Sequence, residues 1–365
     1  MNVVQLVPRL ATGGAERSAL EIGAALAAAG HRSVIICGGG PWVERAQAHG
    51  SEVIELGVGR KSPTALLLVG KLRRLFADLN ADIVHARSRL PAWLAWFALK
   101  KMKPRPKFVT TVHGLNSVNA YSAIMLRGDA VIAVSETTRK HVVERYAGID
   151  GSKLTVIPRG LDPARYHAGF RIDPDWQASL AELHPALHGR PYLLLPGRGT
   201  RLKGHTDALN LLAELRARRL DVGLLLLGVV EEGRVRYLRE LKHWAAQLGI
   251  ADRVVFAPAD ADVRPFYASA LAVLQLSTRP ESFGRVVAEA LAMRRPVLGY
   301  DHGGVGELLA KHFDFGRVPL GRIDDLADRV EALLDGVNPE LDDRVPRLSE
   351  MQRSTLEVYR GLLAA

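Results

Sequence analysis

Short apolar runs alternate repeatedly with longer helical stretches rich in Ala, Leu and Glu, and this pattern restricts the folds that the chain can adopt. Runs that are apolar on both faces are typical of parallel strands covered by helices on both sides. The first series lies at residues 2–7, 33–37, 53–56, 83–85, 108–112, 131–134 and 154–157. A second series lies at residues 192–195, 222–227, 254–256, 272–276 and 297–299. The pattern predicts an α/β fold with two doubly wound parallel sheets in tandem.

The two series predict two domains, residues 1–160 and 161–345. A chain of 365 residues is too long for one ordinary core and suits two. Residues 158–189 contain four prolines and no clean periodicity, which predicts a linker. Residues 346–365 have the spacing of a helix that packs back on the first domain. Ligands of such folds bind at the carboxyl ends of the strands, so we expect functional residues there.

The excess positive charge is confined to the first half of the chain. Residues 1–160 hold 22 Lys and Arg against 11 Asp and Glu, and residues 161–365 hold 27 against 28. This asymmetry predicts an anionic partner for the first domain. No nucleic-acid motif accompanies the charge, so an acidic glycan, glycolipid or membrane surface is favoured over nucleic acid.

Cysteine content and hydropathy predict a cytoplasmic protein. Cys37, the single cysteine, closes an apolar run and is interpreted as a buried strand-end thiol. No basic leader precedes the first apolar run, so we expect no signal peptide. No apolar stretch reaches the roughly 20 residues that a spanning helix needs.

One glycine-rich turn follows the first strand of each series. Gly13-Gly14 opens the first helix, where free N–H groups and the helix dipole favour a phosphate. The loop at residues 196–205 carries Arg198 and Lys203 after a predicted central strand. Lys203 precedes the last glycine of that loop, so the pattern is not a P-loop. Two cations beside helical N–H donors predict a cradle for a pyrophosphate.

A pair of glutamates forms the most specific pattern. Glu281 and Glu289 are eight residues apart, and Gly284 opens the helix that carries Glu289. The pair predicts two carboxylates that accept hydrogen bonds from vicinal hydroxyls of a ribose or hexose. A third element, Gly303-Gly304, follows the last predicted strand, and its glycines predict close approach to an anionic ligand.

These elements, in this order and spacing, resemble the family-4, group 1 retaining glycosyltransferases of the GT-B fold. The resemblance runs essentially end to end and implies two Rossmann-like domains that face a central cleft. It implies an acceptor-binding first domain and a second domain that binds a nucleotide-diphosphate sugar, with a UDP-sugar as the first choice. No cofactor is expected. The donor-binding residues that it implies are Gly13, Gly14, Arg198, Lys203, Glu281, Phe283, Gly284 and Glu289.

The resemblance also implies how the reaction proceeds. A hexose leaves its nucleotide diphosphate while Arg198 and Lys203 stabilise the departing charge. His113 matches a family histidine near the donor sugar, and with Glu281 it completes the predicted catalytic set. We favour attack from the face of departure over a carboxylate nucleophile. Asp260-Ala261-Asp262 matches a metal-binding pattern of another fold, but it precedes a predicted helix start, so metal independence is expected.

The acceptor prediction rests on the first domain. Trp93 and Trp96 run into a basic segment that includes Lys100, Lys101 and Lys103, which suits either an anionic membrane interface or a core helix with a basic tail. A further set, His85, Arg87 and Arg89, follows a strand end and is predicted to contact an anionic acceptor. Together they predict lipopolysaccharide core or cell-envelope synthesis, with peripheral association at the cytoplasmic face of the inner membrane.

Two alternatives and two departures accompany this interpretation. A sugar-nucleotide 2-epimerase shares the architecture, and an inactive nucleotide-sugar-binding scaffold is the non-enzyme alternative. The family usually has glycine where this chain has Arg294, and commonly asparagine where it has Arg159.

Overall fold

The computed structural model describes residues 1–11, 13–146 and 148–364. These residues form two compact units. The first comprises Met1–Gly160 and Arg347–Ala365, and the second comprises Leu161–Pro346.

The strands within the described residues are β1 (Asn2–Leu6), β2 (Arg32–Cys37), β3 (Ser51–Glu55), β4 (Ile83–Ala86), β5 (Lys107–Val112), β6 (Ala130–Ala133), β7 (Leu154–Val156), β8 (Tyr192–Pro196), β9 (Gly223–Val230), β10 (Val254–Pro258), β11 (Ala272–Gln275), β12 (Val297–Tyr300) and β13 (Arg317–Val318). The helices there are α1 (Gly14–Ala28), α2 (Val43–Ala48), α3 (Leu68–Asp78), α4 (Arg89–Leu99), α5 (Glu136–Arg145), α6 (Pro174–Leu183), α7 (His205–Ala217), α8 (Val235–Gln247), α9 (Arg264–Ser269), α10 (Arg285–Ala292), α11 (Gly303–His312), α12 (Ile323–Leu334) and α13 (Leu348–Ala364).

The first unit is built on a parallel sheet in the order β3-β2-β1-β4-β5-β6-β7. Successive strand residues face opposite layers, as the pleat requires. Val3 and Ile83 pack in the layer that α1 and α13 contribute to, whereas Val4 and Val84 pack in the layer that includes α3 and α4. Burial on both faces explains why these strands are apolar throughout.

The last helix, α13, completes one layer of the first unit. Its Met351, Leu356 and Tyr359 are buried in the layer that contains Ile22 and Leu26 of α1. The Gln352 amide donates to the backbone carbonyl of Glu21 at 2.8 Å. The first unit therefore includes both ends of the chain.

The second unit is built on a parallel sheet in the order β10-β9-β8-β11-β12-β13. Its core joins the sheet to α7, α8 and α12 through buried Leu, Val and Ala side chains. The two doubly wound parallel sheets confirm the predicted fold class. Two details differ from the sequence prediction. Residues 158–189, interpreted as a linker, contain α6 and the buried Tyr166, and β13 is too short to stand out as an apolar run.

The strand order places a switch point in each sheet, where the chain changes the direction in which it adds strands. In the first sheet the switch lies between β1 and β4, and in the second it lies between β8 and β11. The loops that leave the carboxyl ends of these neighbouring strands diverge, which leaves a crevice for ligands. The glycine-rich and charged motifs of the sequence follow β1, β4, β8 and β11, and the Gly303-Gly304 element follows β12.

Candidate functional site

The loop after β8 carries the two cations predicted to hold a diphosphate. Arg198 is exposed, and its side chain forms no hydrogen bond or ion pair with the described residues. Lys203 is half-buried, and Gly204 follows it with a φ of 73°. A side chain at Gly204 would overlap the carbonyl oxygen of Leu276, which directly follows β11. Glycine is therefore needed for the loop to close against the neighbouring strand and to start α7.

Lys203 and Glu281 contact each other across the switch point of the second sheet. The Lys203 Nζ donates to Oε1 of Glu281 at 2.6 Å, and both side chains remain 26% exposed. The same oxygen accepts from Gln275 Nε2 at 2.8 Å and from the Ser277 hydroxyl. No described residue donates to Oε2 of Glu281. The carboxylate is thus held by one oxygen while the other remains available to a ligand.

The charge state of Glu281 follows from these contacts. Burial alone would raise the pKa of its carboxyl, but the charge of Lys203 and the hydrogen bonds from Lys203, Ser277 and Gln275 outweigh it. The net effect is a lowered pKa, so the group is a carboxylate at neutral pH. An ionised carboxylate accepts hydrogen bonds, and sugar hydroxyls can donate them.

Glu289 is buried and held by two donors. It lies on α10, where Tyr267 donates its hydroxyl to Oε2 at 3.0 Å and Arg285 donates Nε to Oε1 at 3.2 Å. Burial is the main reason that the pKa of Tyr267 is raised well above its ordinary value, so the phenol keeps its proton and donates. The sequence patterns did not single out Tyr267, Gln275 or Ser277. The only signal for Gln275 and Ser277 is a position at or just after the end of β11, and Tyr267 lies in the short helix α9 without a distinctive pattern.

Gly303 and Gly304 approach the glutamate loop instead of open space. The Gly304 N–H donates to the carbonyl of Glu281 at 2.7 Å, and a side chain at Gly304 would lie 2.5 Å from Cα of Phe283. These contacts account for both glycines without a ligand, and their close approach to an anionic ligand stays a prediction. They allow the start of α11 to pack on residues 281–283. Phe283 is itself buried, so only its backbone can meet a ligand, and Gly284 caps α10 with a φ of 94°.

The Asp-x-Asp sequence is explained by local contacts. Both Asp262 oxygens accept from the Arg264 guanidinium, and Asp260 accepts the Asp262 N–H at 2.8 Å. The hydrogen bond from Arg264 is the main reason that the pKa of Asp262 is lowered. Within the described ranges, no group of three His, Cys, Asp or Glu side chains is arranged to hold a metal ion. Metal independence remains a prediction, because the reaction itself has to test it.

In the first unit, the turn after β1 is linked to His113. The Arg159 NH2 group donates to the carbonyl of Gly14 at 2.8 Å and to Nδ1 of His113 at 2.5 Å. Burial lowers the pKa of His113 well below its ordinary value, and the Arg159 charge lowers it further. The ring is thus neutral, with its proton on Nε2, because Nδ1 accepts from Arg159. Arg159, a departure from the family pattern, orders both Gly14 and His113, while Gly13 is the extended residue before α1.

His85 and Arg87 are buried, contrary to the prediction that they contact an acceptor. His85 bonds Tyr359 through Nδ1 at 2.6 Å and Thr111 through Nε2 at 2.7 Å. Arg87 donates Nε to Gln5 at 2.9 Å and NH1 to the Ser18 hydroxyl at 3.0 Å. Both side chains lie at the sheet edge but point into the domain, where these polar partners satisfy them. Burial lowers the pKa of both groups.

The aromatic segment on α4 is neither core nor fully exposed. Trp93 is half-buried and donates its indole N–H to the Tyr121 carbonyl at 3.0 Å, whereas Phe97 is 38% exposed. The Lys100 ammonium lies 4.7 Å from the centre of the Trp96 ring. Lys101 and Lys103 are exposed, and Arg89 is half-buried against the Tyr121 ring. Among the described residues, no helix combines the length and the apolar character needed to cross a membrane.

Two family models match this chain. The model described as "Glycosyltransferase Family 4" matches residues 12–165, and the model described as "Glycosyl transferases group 1" matches residues 181–345. Together they span most of both compact units.

Curated relatives carry glycosyltransferase names. A D-inositol 3-phosphate glycosyltransferase of Nocardia farcinica is 31% identical, over 61% of this chain and 52% of that protein. The lipopolysaccharide core biosynthesis mannosyltransferase LpsB of Rhizobium meliloti is 28% identical, over 73% of this chain and 70% of that protein. The chain thus spans about half the length of the first relative.

Solved structures match along the whole chain. A glycosyltransferase from Rickettsia africae superposes with a TM-score of 0.87 at 28% identity, covering 99% of this chain and 98% of that one. HepE of Anabaena, solved with UDP and glucose, superposes with a TM-score of 0.82 at 20% identity, covering 99% of each chain. The second likeness concerns the fold alone.

Proposed function

This chain belongs to the group 1 glycosyltransferases of the GT-B fold, and we propose that it is a retaining hexosyltransferase with a nucleotide-diphosphate sugar as donor. The acceptor in this proposal is a glycan or glycolipid of the cell envelope. The observation that carries the proposal is the geometry around Glu281. Lys203 and two neutral donors hold its Oε1, while its Oε2 receives no donor from the described residues.

That geometry supports separate roles for the cations and for the glutamate carboxylates. Arg198 and Lys203 follow β8, where the N-terminus of α7 adds N–H donors, so a diphosphate placed there meets positive charge from three sources. Glu281 follows the neighbouring β11 and would accept from a hydroxyl of the transferred sugar through Oε2. Glu289, fixed by Tyr267 and Arg285, would accept from the ribose hydroxyls. A UDP-sugar is our first choice of donor.

The chemistry follows from where charge develops. As the bond to the anomeric carbon breaks, negative charge grows on the leaving diphosphate, and fixed cations stabilise it without rearrangement. We infer that Arg198 and Lys203 supply most of this stabilisation. The neutral His113 ring, with its proton on Nε2, suits hydrogen bonding to the donor sugar rather than general-base catalysis. We favour attack from the face of departure and no metal.

An anionic acceptor is supported by the charge of the first unit and by the names of relatives. Residues 1–160 hold twice as many basic as acidic side chains. The names of the two curated relatives mention inositol 3-phosphate and lipopolysaccharide core. Because His85 and Arg87 are buried, we do not assign them to the acceptor. We assign acceptor or membrane contact to the exposed Lys101 and Lys103. The residues beside them are Arg89, Trp93, Trp96 and Lys100. Peripheral association with the cytoplasmic face of a membrane belongs to this proposal.

A donor screen followed by a transfer assay tests the function. Thermal shift with a panel of nucleotide sugars should identify a donor, because a ligand that binds only the folded protein raises its melting temperature. The identified donor is then incubated with and without a phosphorylated glycolipid acceptor. Transfer with retained anomeric configuration supports the proposal. Epimerised nucleotide sugar without acceptor would point to a 2-epimerase, and binding without any turnover would point to a scaffold.

A further inference from the structure

The second unit contains a cavity away from its proposed donor site. It has a volume of about 490 Å³ and lies at the amino-terminal ends of β11 and β12, whereas the donor loops leave the carboxyl ends of β8 and β11. Leu271, Phe313 and Leu333 contribute apolar surface to it, and Arg295 contributes a cation. A volume of this order is sufficient for a small metabolite.

No described side chain forms an ion pair with Arg295. Its side chain is half-buried, and its Nε is buried without a hydrogen-bond acceptor. Throughout residues 1–11, 13–146 and 148–364, no side chain or carbonyl forms a hydrogen bond or ion pair with its guanidinium. Burial lowers its pKa from the ordinary value, with Tyr192 acting in the opposite direction. Keeping a cation here without an acceptor costs free energy, which an anionic ligand would offset.

Neighbouring arginines of the same unit, in contrast, have carboxylate partners for their charge. Arg294 also lines the cavity and pairs with Asp343 at 3.2 Å. Arg317 pairs with Asp301 and Asp314, each at 2.9 Å. Carboxylates are thus available on this part of the unit, yet none within the described ranges pairs with Arg295.

The polar residues of the cavity wall indicate which functional groups the ligand carries. Asn338 and Glu340 line the same cavity and are exposed at its rim. Both can accept hydrogen bonds from hydroxyl groups, and the Glu340 carboxylate disfavours a second anionic group beside it. The apolar side chains suit a compact carbon skeleton.

We propose that this cavity binds a small hydroxylated organic anion, whose phosphate or carboxylate group pairs with the Arg295 guanidinium. The hydroxyl groups of the ligand face Asn338 and Glu340. The proposal does not depend on the transferase activity, because no residue of the donor loops takes part.

Binding is tested with three probes of one carbon skeleton: glucose 6-phosphate, gluconate and glucose. Titration calorimetry with the full chain should show a Kd below about 1 mM for at least one anion and no binding of glucose. The variant Arg295→Gln should weaken anion binding at least tenfold, whereas Arg236→Gln, a change at an exposed arginine of the same unit, should not. The variant Lys203→Met should bind the probes normally, because it affects only the proposed donor site.

A stability measurement separates a ligand-binding arginine from a structural one. If Arg295 is kept for a ligand, Arg295→Met should leave the melting temperature without ligand unchanged or raise it, and should abolish stabilisation by the bound anion. A lower melting temperature for Arg295→Met without ligand would overturn the proposal. So would equal binding of the anions by wild type and Arg295→Gln, or no binding of either anion by the wild type. Loss of probe binding in Lys203→Met would instead assign the binding to the donor loops, and would also overturn it.

Discussion

The Lys203 ammonium lies 2.6 Å from Oε1 of Glu281, although 78 residues separate the two in sequence. The cation that we propose for the diphosphate and the carboxylate that we propose for the sugar therefore hold each other. This contact fixes both side chains before a donor arrives. A bound diphosphate can share the ammonium, since an ammonium has three donor hydrogens and the contact with Glu281 uses one of them.

The first prediction concerns this ion pair. Lys203→Met should weaken binding of the donor nucleotide by roughly 10- to 100-fold, because a charge-assisted bond to phosphate contributes about 1.5–3 kcal/mol. Arg198→Ala should act in the same direction. Glu281→Gln should lower kcat/KM for transfer, and its effect should not add to that of Lys203→Met, because the two residues are in contact. Calorimetry and steady-state kinetics measure both effects.

Lys311→Met is the matched control for Lys203→Met. Lys311 is exposed in the last turn of α11, and its replacement should leave donor affinity unchanged. Normal nucleotide affinity and turnover in a folded Arg198→Ala, Lys203→Met double variant would contradict the assignment of this loop.

The second prediction concerns Tyr267, which acts through Glu289. Tyr267→Phe removes the donor to Oε2 and leaves a buried carboxylate less restrained, so UDP affinity should fall by several fold. The loss should shrink for a 2′,3′-dideoxy nucleotide, because that ligand lacks the hydroxyls assigned to Glu289. Titrations of both nucleotides measure the difference. An equal loss for both would mean that Tyr267 has only a structural role.

The third prediction concerns pH. Burial, the largest cause, lowers the pKa of His205 from 6.5 to about 4 in the folded protein. Below pH 6.5 the unfolded chain takes up a proton that the folded chain does not, so stability falls as the pH drops from about 6.5 towards 4. The loss from His205 should approach about 3 kcal/mol. His85 and His113 have lowered pKa values too and act in the same direction.

Urea unfolding between pH 8 and pH 5 checks this expectation. The non-titrating variant His205→Gln should lose less stability over that interval than the wild type does. Parallel pH profiles for the two proteins would exclude His205 as a contributor. An NMR titration of the folded wild type gives the pKa directly, whatever the stability of the variant.

The fourth prediction is that transfer continues in excess EDTA and is not increased by manganese. Arg198 and Lys203 supply positive charge where a metal would otherwise neutralise the diphosphate, and Asp262 is engaged by Arg264. Activity is measured after chelation and again after manganese is restored. A loss of transfer activity that a divalent ion reverses would show that the cationic loop is not sufficient to neutralise the diphosphate.

The fifth prediction concerns acidic membranes. The full chain should bind vesicles that contain anionic lipid and release them as salt rises, because screening acts over about 8–10 Å at ordinary ionic strength. Replacing Lys100, Lys101 and Lys103 by Gln should weaken vesicle binding while donor affinity is unchanged. Lys242→Gln, an exposed lysine of the second unit, is the control.

An aromatic variant tests the apolar part of that surface. Phe97 is a cleaner probe than Trp93, because Trp93 is half-buried and bonded to Tyr121, whereas Phe97 is exposed. Phe97→Ser should reduce vesicle binding without lowering the melting temperature. Equal binding of neutral and acidic vesicles, insensitive to salt, would leave the charge asymmetry without a membrane role.

The sequence by itself determined the architecture. Strand and helix periodicities are local, and a strand buried on both faces needs apolar residues throughout. Apolar runs in the sequence therefore mark nearly every strand. The signal is repeated in twelve apolar runs, and this repetition outweighs errors at individual strand ends. The periodic signal was too weak to predict two elements. β13 has only two residues, and α6 lies within a segment that contains prolines.

Tertiary structure decided which residues meet and which are accessible. Lys203 contacts Glu281 because β8 and β11 are neighbours in the sheet, a long-range pairing that neither motif encodes. His85 and Arg87 end a strand, as an acceptor-binding pair would, but Tyr359 and Gln5 engage them inside the domain. A strand end specifies only the edge at which a side chain lies. Whether it faces a ligand or the interior depends on the partners that distant segments bring to it.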